Sequence, residues 1–193
     1  MLCSAADAGN LAEVRRALAG GVDPNAFVAV QTAGGEECGT TALVQAAGNG
    51  HLEAVALLLD RGASPDKPDS KGGPPLMAAA ANGHAAVMGL LVERGADPNA
   101  ANPEGQMAFH FACAYNQHGC VDVLVRAGCD MTAKTKDGRT GKQYAEQQGH
   151  TDVLECLRNL VAERLGEALP PGGGLTATVS PFMLKLRRWW VAC

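Results

Sequence analysis

Apolar residues return along this chain in two interleaved rows. Val55, Leu58 and Leu59 recur as Met88, Leu91 and Val92 and again as Val121, Leu124 and Val125, each set 33 residues after the last. Within each set the spacing is that of one helix face. A second row precedes each set: Leu43 with Ala46-Ala47, Leu76 with Ala79-Ala80, and Phe109 with Ala112-Cys113. One large residue beside small ones marks a helix that its neighbours approach closely. The pattern therefore predicts pairs of short helices. Thr41, Pro74, Met107 and Thr140 open the first helix of each pair, a position that suits Thr and Pro. Gly50-His51, Gly83-His84 and Gly149-His150 end it, because glycine accepts the left-handed turn beyond a helix terminus, and Asn116 fills the point on this grid where a glycine is missing. The second helix stops at Gly62, Gly95 and Gly128, and Ser64-Pro65 or Asp97-Pro98 then sends the chain into an extended loop.

A helix pair of this size cannot bury its own apolar face and must borrow its neighbours', so the period predicts an all-α solenoid of stacked helix-turn-helix units joined by hairpin-like loops. Function then sits on a surface. The segments GHLEAVALLLDRGA and ERGADPNA, with Thr41, Thr140 and the Gly-His pairs in phase, resemble the ankyrin repeat family over residues 2 to about 160. Five units are expected, at about 1–35, 36–68, 69–101, 102–134 and 135–169, the first and last acting as caps with polar outer faces. Arg15 and Arg16 supply that face at one end, and Lys142, Glu146 and Arg158 at the other. Val44 and Met77 stand where the family has the histidine that braces the turn, Lys142 where it has leucine, and Asn116-Gln117 where it has Gly-His.

The resemblance implies a non-catalytic protein-interaction module whose partner lies in a concave strip of loop tips and first helices. It carries the family's contact positions onto Glu37, Thr40, Asn49, Ser70, Lys71, Asn82, Glu104, Gln106, Tyr115, Lys136, Arg139 and Gln148. Tyr115 is the single aromatic among them, and amphipathic aromatics dominate interface hot spots. The bland alternative is that Tyr115 merely covers a neighbouring alanine face. Between Asn25 and Gly39 the chain is also eight residues longer than between the equivalent Asp66 and Gly72. Phe27, Val28, Val30 and Gly34-Gly35 in this insertion read either as a partner contact at the loop edge or as an extended hairpin with none.

Composition fits this picture and narrows it. Aromatics make up only 4% of the chain, so the core must come from Ala, Leu and Val, which suits close-packed helices. The net charge of −4 becomes −7 once Lys185, Arg187 and Arg188 in the last dozen residues are set aside. An acidic body argues against nucleic acid as the partner. Seven cysteines without a C-x-x-C pair indicate a reducing compartment, cytoplasmic with the nucleus as alternative. Residues 72–92 lack charge but contain Pro74-Pro75 and keep the repeat register, so they read as packed helices and not as a membrane span. His110, Cys113, His118 and Cys120 have the types of a zinc set, yet the repeat frame gives each a structural position; no metal, cofactor or catalytic residue is expected. Gly141-Lys142 lacks the rest of a phosphate-binding loop, and neither G-x-S-x-G nor H-E-x-x-H occurs.

Pro170-Pro171 and Gly172 to Gly174 read as a flexible linker, and 170–193 as a separate tail. Its segment from Phe182 to Val191 mixes three cations with Trp189 and Trp190, the composition of a membrane-surface or partner-docking helix. That gives one alternative function. Another is that the chain is a fragment of a larger regulatory protein, because the first unit lacks its leading hairpin. On the main reading the protein is monomeric and touches membrane only through the tail.

Overall fold

The computed structural model describes residues 2–31 and 37–167. Its elements run α1 (Leu2–Asp7), α2 (Leu11–Ala19), β1 (Phe27–Gln31), β2 (Glu37–Thr41), α3 (Ala42–Gly48), α4 (Leu52–Asp60), α5 (Pro75–Asn82), α6 (Ala85–Glu93), α7 (Ala108–Ala114), α8 (His118–Arg126), α9 (Gly141–Gln148) and α10 (Thr151–Glu167). The odd-numbered helices stack on one another in chain order, and the even-numbered helices form a second row behind them. The fold is thus the all-α solenoid that the 33-residue period predicts.

The core lies between the rows. Leu58, Leu91 and Leu124, one per unit and in the same phase, are 0% exposed. Leu43, Leu76 and Phe109 reach the same interior from the first row. Each such side chain stabilises the fold by about 1.5–3 kcal/mol on burial. Ala46, Ala47, Ala79, Ala80, Ala112 and Cys113 are also fully buried, and larger residues there would wedge the first-row helices apart. Because each pair touches only its neighbours, stability is a sum over these interfaces.

Local hydrogen bonds fix three of the first-row helix starts. Thr41 Oγ1 accepts the Val44 N–H at 3.2 Å, and Thr140 Oγ1 accepts the Gln143 N–H at 3.3 Å. Gln143 Oε1 answers by accepting the Thr140 N–H at 2.9 Å, which satisfies two otherwise orphaned donors. At Met107 the side chain offers no such acceptor, and His110 Nδ1 takes the Met107 N–H at 3.1 Å.

Further bonds join successive units. His51 Nε2 lies 2.8 Å from the Asp7 carbonyl oxygen, His84 Nε2 3.1 Å from that of Gly48, and His150 Nδ1 3.0 Å from that of Cys113. These recurring histidines link backbone between units, as their phase predicts. The loops after the second helices form a parallel ladder. Asn25 Oδ1 accepts the Ser64 N–H at 2.8 Å, Asp66 Oδ1 the Asp97 N–H at 3.0 Å, and Asn99 Oδ1 the Asp130 N–H at 2.7 Å.

The insertion forms an antiparallel hairpin, in which Phe27 pairs with Thr41, Ala29 with Gly39, and Gln31 with Glu37. The Phe27 ring, 52% exposed, fills the space beside Gly39 where a side chain would sit. Gly34-Gly35, between the two strands in sequence, lie outside the described residues.

Lys142 departs from expectation. Arg158 and Glu146 are exposed, but the Lys142 side chain is 6% exposed and its Nζ lies 3.4 Å from Glu146. It stands in the frame position of Leu43, Leu76 and Phe109, so helix phase sends its apolar stem inward while the ammonium finds a carboxylate one turn on. Residues 72–92 form a loop, α5, the His84 turn and most of α6. No helix among the described residues is long and apolar enough to cross a membrane. The linker at 170–174 and the basic-aromatic segment at 182–191 lie outside the described residues.

Candidate functional site

The loop tips are built by carboxylate and amide side chains that fold the backbone back on itself. Asp69 Oδ1 accepts the N–H groups of Lys71 and Gly73 at 2.9 and 2.8 Å. Asn102 Oδ1 likewise accepts those of Glu104 and Gln106, at 3.1 and 2.9 Å. Such side-chain turns are what Asp and Asn do best. Adjacent tips are then tied together. Ser70 N–H donates to the Gly39 carbonyl at 2.8 Å, Gly39 N–H to Ser70 Oγ at 3.0 Å, and Lys136 N–H to the Glu104 carbonyl at 2.9 Å.

Between these tips and the first-row helices runs a groove of about 610 Å³. Met77, Ala78, Ala81 and Phe111 supply its apolar lining, and the Asp69–Pro74 and Asn102–Gln106 loops supply much of the rest. A smaller depression of about 100 Å³ shares Gln106 and Phe111 with it and extends to Ala114, Tyr115 and Tyr144. The rings here are ordered by one another. Phe111 and Tyr115 stack with centroids 6.4 Å apart and planes 20° apart. Tyr144 meets His110 edge-on at 6.2 Å, and the Arg139 guanidinium sits 5.8 Å from the Tyr144 centroid while Nη1 donates to Gln147 Oε1 at 3.0 Å.

His110 is the buried support beneath this cluster. Because Nδ1 accepts from Met107, Nε2 must carry the hydrogen, and it donates to the Ala133 carbonyl at 3.1 Å. Burial lowers its pKa below the usual histidine value, with backbone hydrogen bonds opposing in part. Both ring nitrogens are therefore committed to backbone. The other members of the zinc-like set do not turn toward it as ligands. Burial raises the Cys113 thiol well above its ordinary pKa and the Cys120 thiol to about 11, which keeps both protonated, and His118 begins α8 on an exposed surface. Among the described residues no group of three or more such side chains could hold a metal ion.

The twelve candidate contact residues fall into different places. Ser70, Lys71, Glu104 and Gln106 line the groove, and Tyr115 lines the depression beside it. Arg139 stacks next to that depression, and exposed Lys136 occupies the neighbouring tip. Asn49 is turned toward the preceding unit, donating to Asp7 Oδ1 at 2.8 Å and to the Gln45 carbonyl at 3.1 Å. Asn82 donates to the Ala78 carbonyl at 3.1 Å, Gln148 is exposed at the end of α9, and Glu37 lies in β2 opposite Gln31. Thr40 is a correction: it is only 5% exposed and its hydroxyl bonds to the Thr41 carbonyl at 3.4 Å, because hairpin pairing and the following helix cover it.

Phe111 and Tyr144 were not among the candidates. Their signal was available, since Gln45, Ala78, Phe111 and Tyr144 stand at one phase of the 33-residue period, and Phe111 lies one helical turn before Tyr115 on the same face.

A search of curated proteins gave no match. The family model described as ankyrin repeats (three copies) matches residues 2–102 and again 90–164. Those two stretches cover nearly the whole stack of helix pairs, and the chain belongs to the ankyrin repeat family.

Proposed function

We propose that this chain is a non-catalytic docking module whose protein partner lies along the loop tips and first-row helices, centred on Tyr115. Ankyrin repeats are in general protein-protein interaction modules. One observation carries the finer reading. Tyr115 is 57% exposed, stacked on Phe111, and lines the smaller depression that shares Gln106 and Phe111 with the long groove. A large amphipathic ring left open beside an apolar floor is the composition of an interface centre. Ser70, Lys71, Glu104 and Gln106 along the groove, with Lys136 and Arg139 on the next unit, supply the polar positions of the proposed surface. The groove is open along its length, so it offers contact area in place of the enclosed, desolvated pocket that catalysis uses.

The test is a proximity-labelling or pull-down comparison of the wild type with the double variant Tyr115→Ala plus Arg139→Glu. A partner held by the wild type and lost from the variant is expected. Identical partner sets from the two proteins would overturn the reading. Deleting residues 175–193 should leave the same partner in place.

A further inference from the structure

The hairpin of the insertion leaves one of its edges open. β2 turns the Gly39 backbone toward the next unit, where the Gly39 carbonyl accepts from the Ser70 N–H at 2.8 Å and the Gly39 N–H donates to Ser70 Oγ at 3.0 Å. Gly39 pairs with Ala29, and in an antiparallel ladder a residue whose backbone groups point away from its partner faces one that does the same. The alternation then makes Val28 with Thr40 and Val30 with Cys38 the bonded pairs, while Phe27, Ala29 and Gln31 direct N–H and C=O outward. The sheet has only these two strands, and among the described residues nothing bonds to those outward groups. Such an edge is a template for a further strand, which proteins blunt with lysine, proline or a bulge. β1 reads FVAVQ in unbroken register and has none of these.

We infer that β1 pairs antiparallel with β1 of a second copy of this chain, about a two-fold axis through the Ala29 pair. The inference goes beyond the docking reading and puts a dimer in place of the expected monomer. The outward groups are symmetric about Ala29, so this register sets Ala29 opposite its counterpart and Phe27 opposite Gln31 of the second copy, and every outward donor meets an acceptor. It also continues an interface that the chain already uses, because Ser70 joins Gly39, and Lys136 joins Glu104, by backbone bonds from one hairpin or loop tip to the next. A two-fold axis sets like charges face to face, and two copies of a chain with net charge −4 repel. Residues 24–35 carry no charge, which removes that obstacle at this edge. Ala29 is exposed and Phe27 is 52% exposed, so the chain's own units leave room beside the strand. A foreign extended peptide would be selected through pockets for its alternate side chains, but the groove and the depression lie on other units. Five residues of strand fall short of the area of about 1,200 Å² that a stable interface buries, so the dimer forms and dissociates with concentration.

The experiment follows the full chain by sedimentation equilibrium over about a hundredfold range of concentration, and by disulfide trapping. The wild type should rise from the monomer mass of 19.8 kDa toward its double. Ala29→Pro removes only an outward N–H, a place where an edge strand tolerates proline, so its thermal melt should stay near that of the wild type while association weakens by about tenfold or more. A hydrogen-bonded antiparallel pair has Cα atoms about 5.5 Å apart, within reach of a disulfide. Under mild oxidation Ala29→Cys should therefore give a covalent dimer bridged through the two introduced thiols, identified by peptide mass spectrometry, whereas Ala86→Cys, exposed on the second row, should not. A wild type that stays monomeric throughout, or Ala29→Pro that associates as well as the wild type, would overturn the inference. Equal trapping at the two introduced positions would overturn it as well, and this readout decides the matter even if Ala29→Pro melts early.

Discussion

His84 occupies the space that a side chain on Gly50 would need. A Cβ built on Gly50 would lie 2.5 Å from His84 Nδ1, while Nε2 of the same ring reaches the Gly48 carbonyl oxygen at 3.1 Å. The histidine that opens one unit's second helix thus holds the turn of the unit before, and Gly50 is required twice, for its φ of +74° and for its missing side chain. Gly62 has a φ of +88° but open space around it. Gly50→Ala and Gly62→Ala both incur a left-handed backbone cost of about 1–2 kcal/mol. Only Gly50→Ala must also displace the imidazole, so urea unfolding should show it at least about 1 kcal/mol more destabilising than Gly62→Ala. Equal losses would mean that the histidine contact carries no weight.

The tautomer forced on His110 gives stability a pH dependence. A second proton would have to go on Nδ1, where it would break the bond from the Met107 N–H and place a charge in a buried site. Since the folded-state pKa is lowered, the unfolded chain takes up the proton first as pH falls. The contribution of His110 is therefore fully present above the unfolded value of about 6.5 and is lost as pH drops from there toward the lower folded value. His110→Gln cannot titrate. Melting temperatures taken from pH 8 to pH 5 should fall more steeply for the wild type than for His110→Gln, and parallel curves would contradict the assignment.

What the sequence could disclose followed from how each position is specified. The helix pairs were legible because periodic leucines, small residues and capping groups act locally and repeat, so each unit corroborates the next. Lys142 departs from the polar outer face that its residue type suggests because frame position overrides type; a lysine can bury its stem where the period demands an inward side chain. Thr40 is a contact position that the family resemblance carries over, and its burial depends on the hairpin pairing of a strand whose register the sequence leaves open. Ser70, Lys71, Glu104 and Gln106 reach the groove from loop tips that Asp69 and Asn102 shape locally. Phe111 and Tyr144 escaped because an aromatic on a first helix reads as core until neighbouring units show which face stays open.

Asn116 is the one non-glycine described residue with positive φ, at 56°. Its Nδ2 donates to Asp152 at 3.1 Å on the surface, but its Oδ1 is buried and without a hydrogen-bond partner among the described residues. Removing an unsatisfied buried acceptor is worth about 1–3 kcal/mol, against about 0.5–1.5 kcal/mol for the exposed hydrogen bond and about 0.4–1 kcal/mol of unfolded-chain entropy. Relief of the backbone conformation tips the balance further toward glycine. Asn116→Gly should therefore raise stability by about 0.5–1 kcal/mol in denaturant titration. A loss of stability would show that the Asp152 bond outweighs the orphaned oxygen.

The ladder linking loops after the second helices should tolerate exchange of one acceptor for another but not its removal. Asn99 Oδ1 receives the Asp130 N–H at 2.7 Å, and Asp97 Oδ1 in turn receives the Asn99 N–H at 2.9 Å, so the loop is fixed both to itself and to the next unit. Asn99→Ala leaves the Asp130 donor to water and should cost about 0.5–1.5 kcal/mol. Asn99→Asp keeps the acceptor. The chain already runs this arrangement one unit earlier, where Asp66 accepts the Asp97 N–H at 3.0 Å despite the neighbouring carboxylate. Asn99→Asp should accordingly stay within about 0.5 kcal/mol of the wild type, since surface repulsion between exposed carboxylates is weak. Amide hydrogen exchange reads the same bond directly: the Asp130 N–H should lose protection in Asn99→Ala and retain it in Asn99→Asp. Unchanged protection in both variants would place that amide's partner elsewhere.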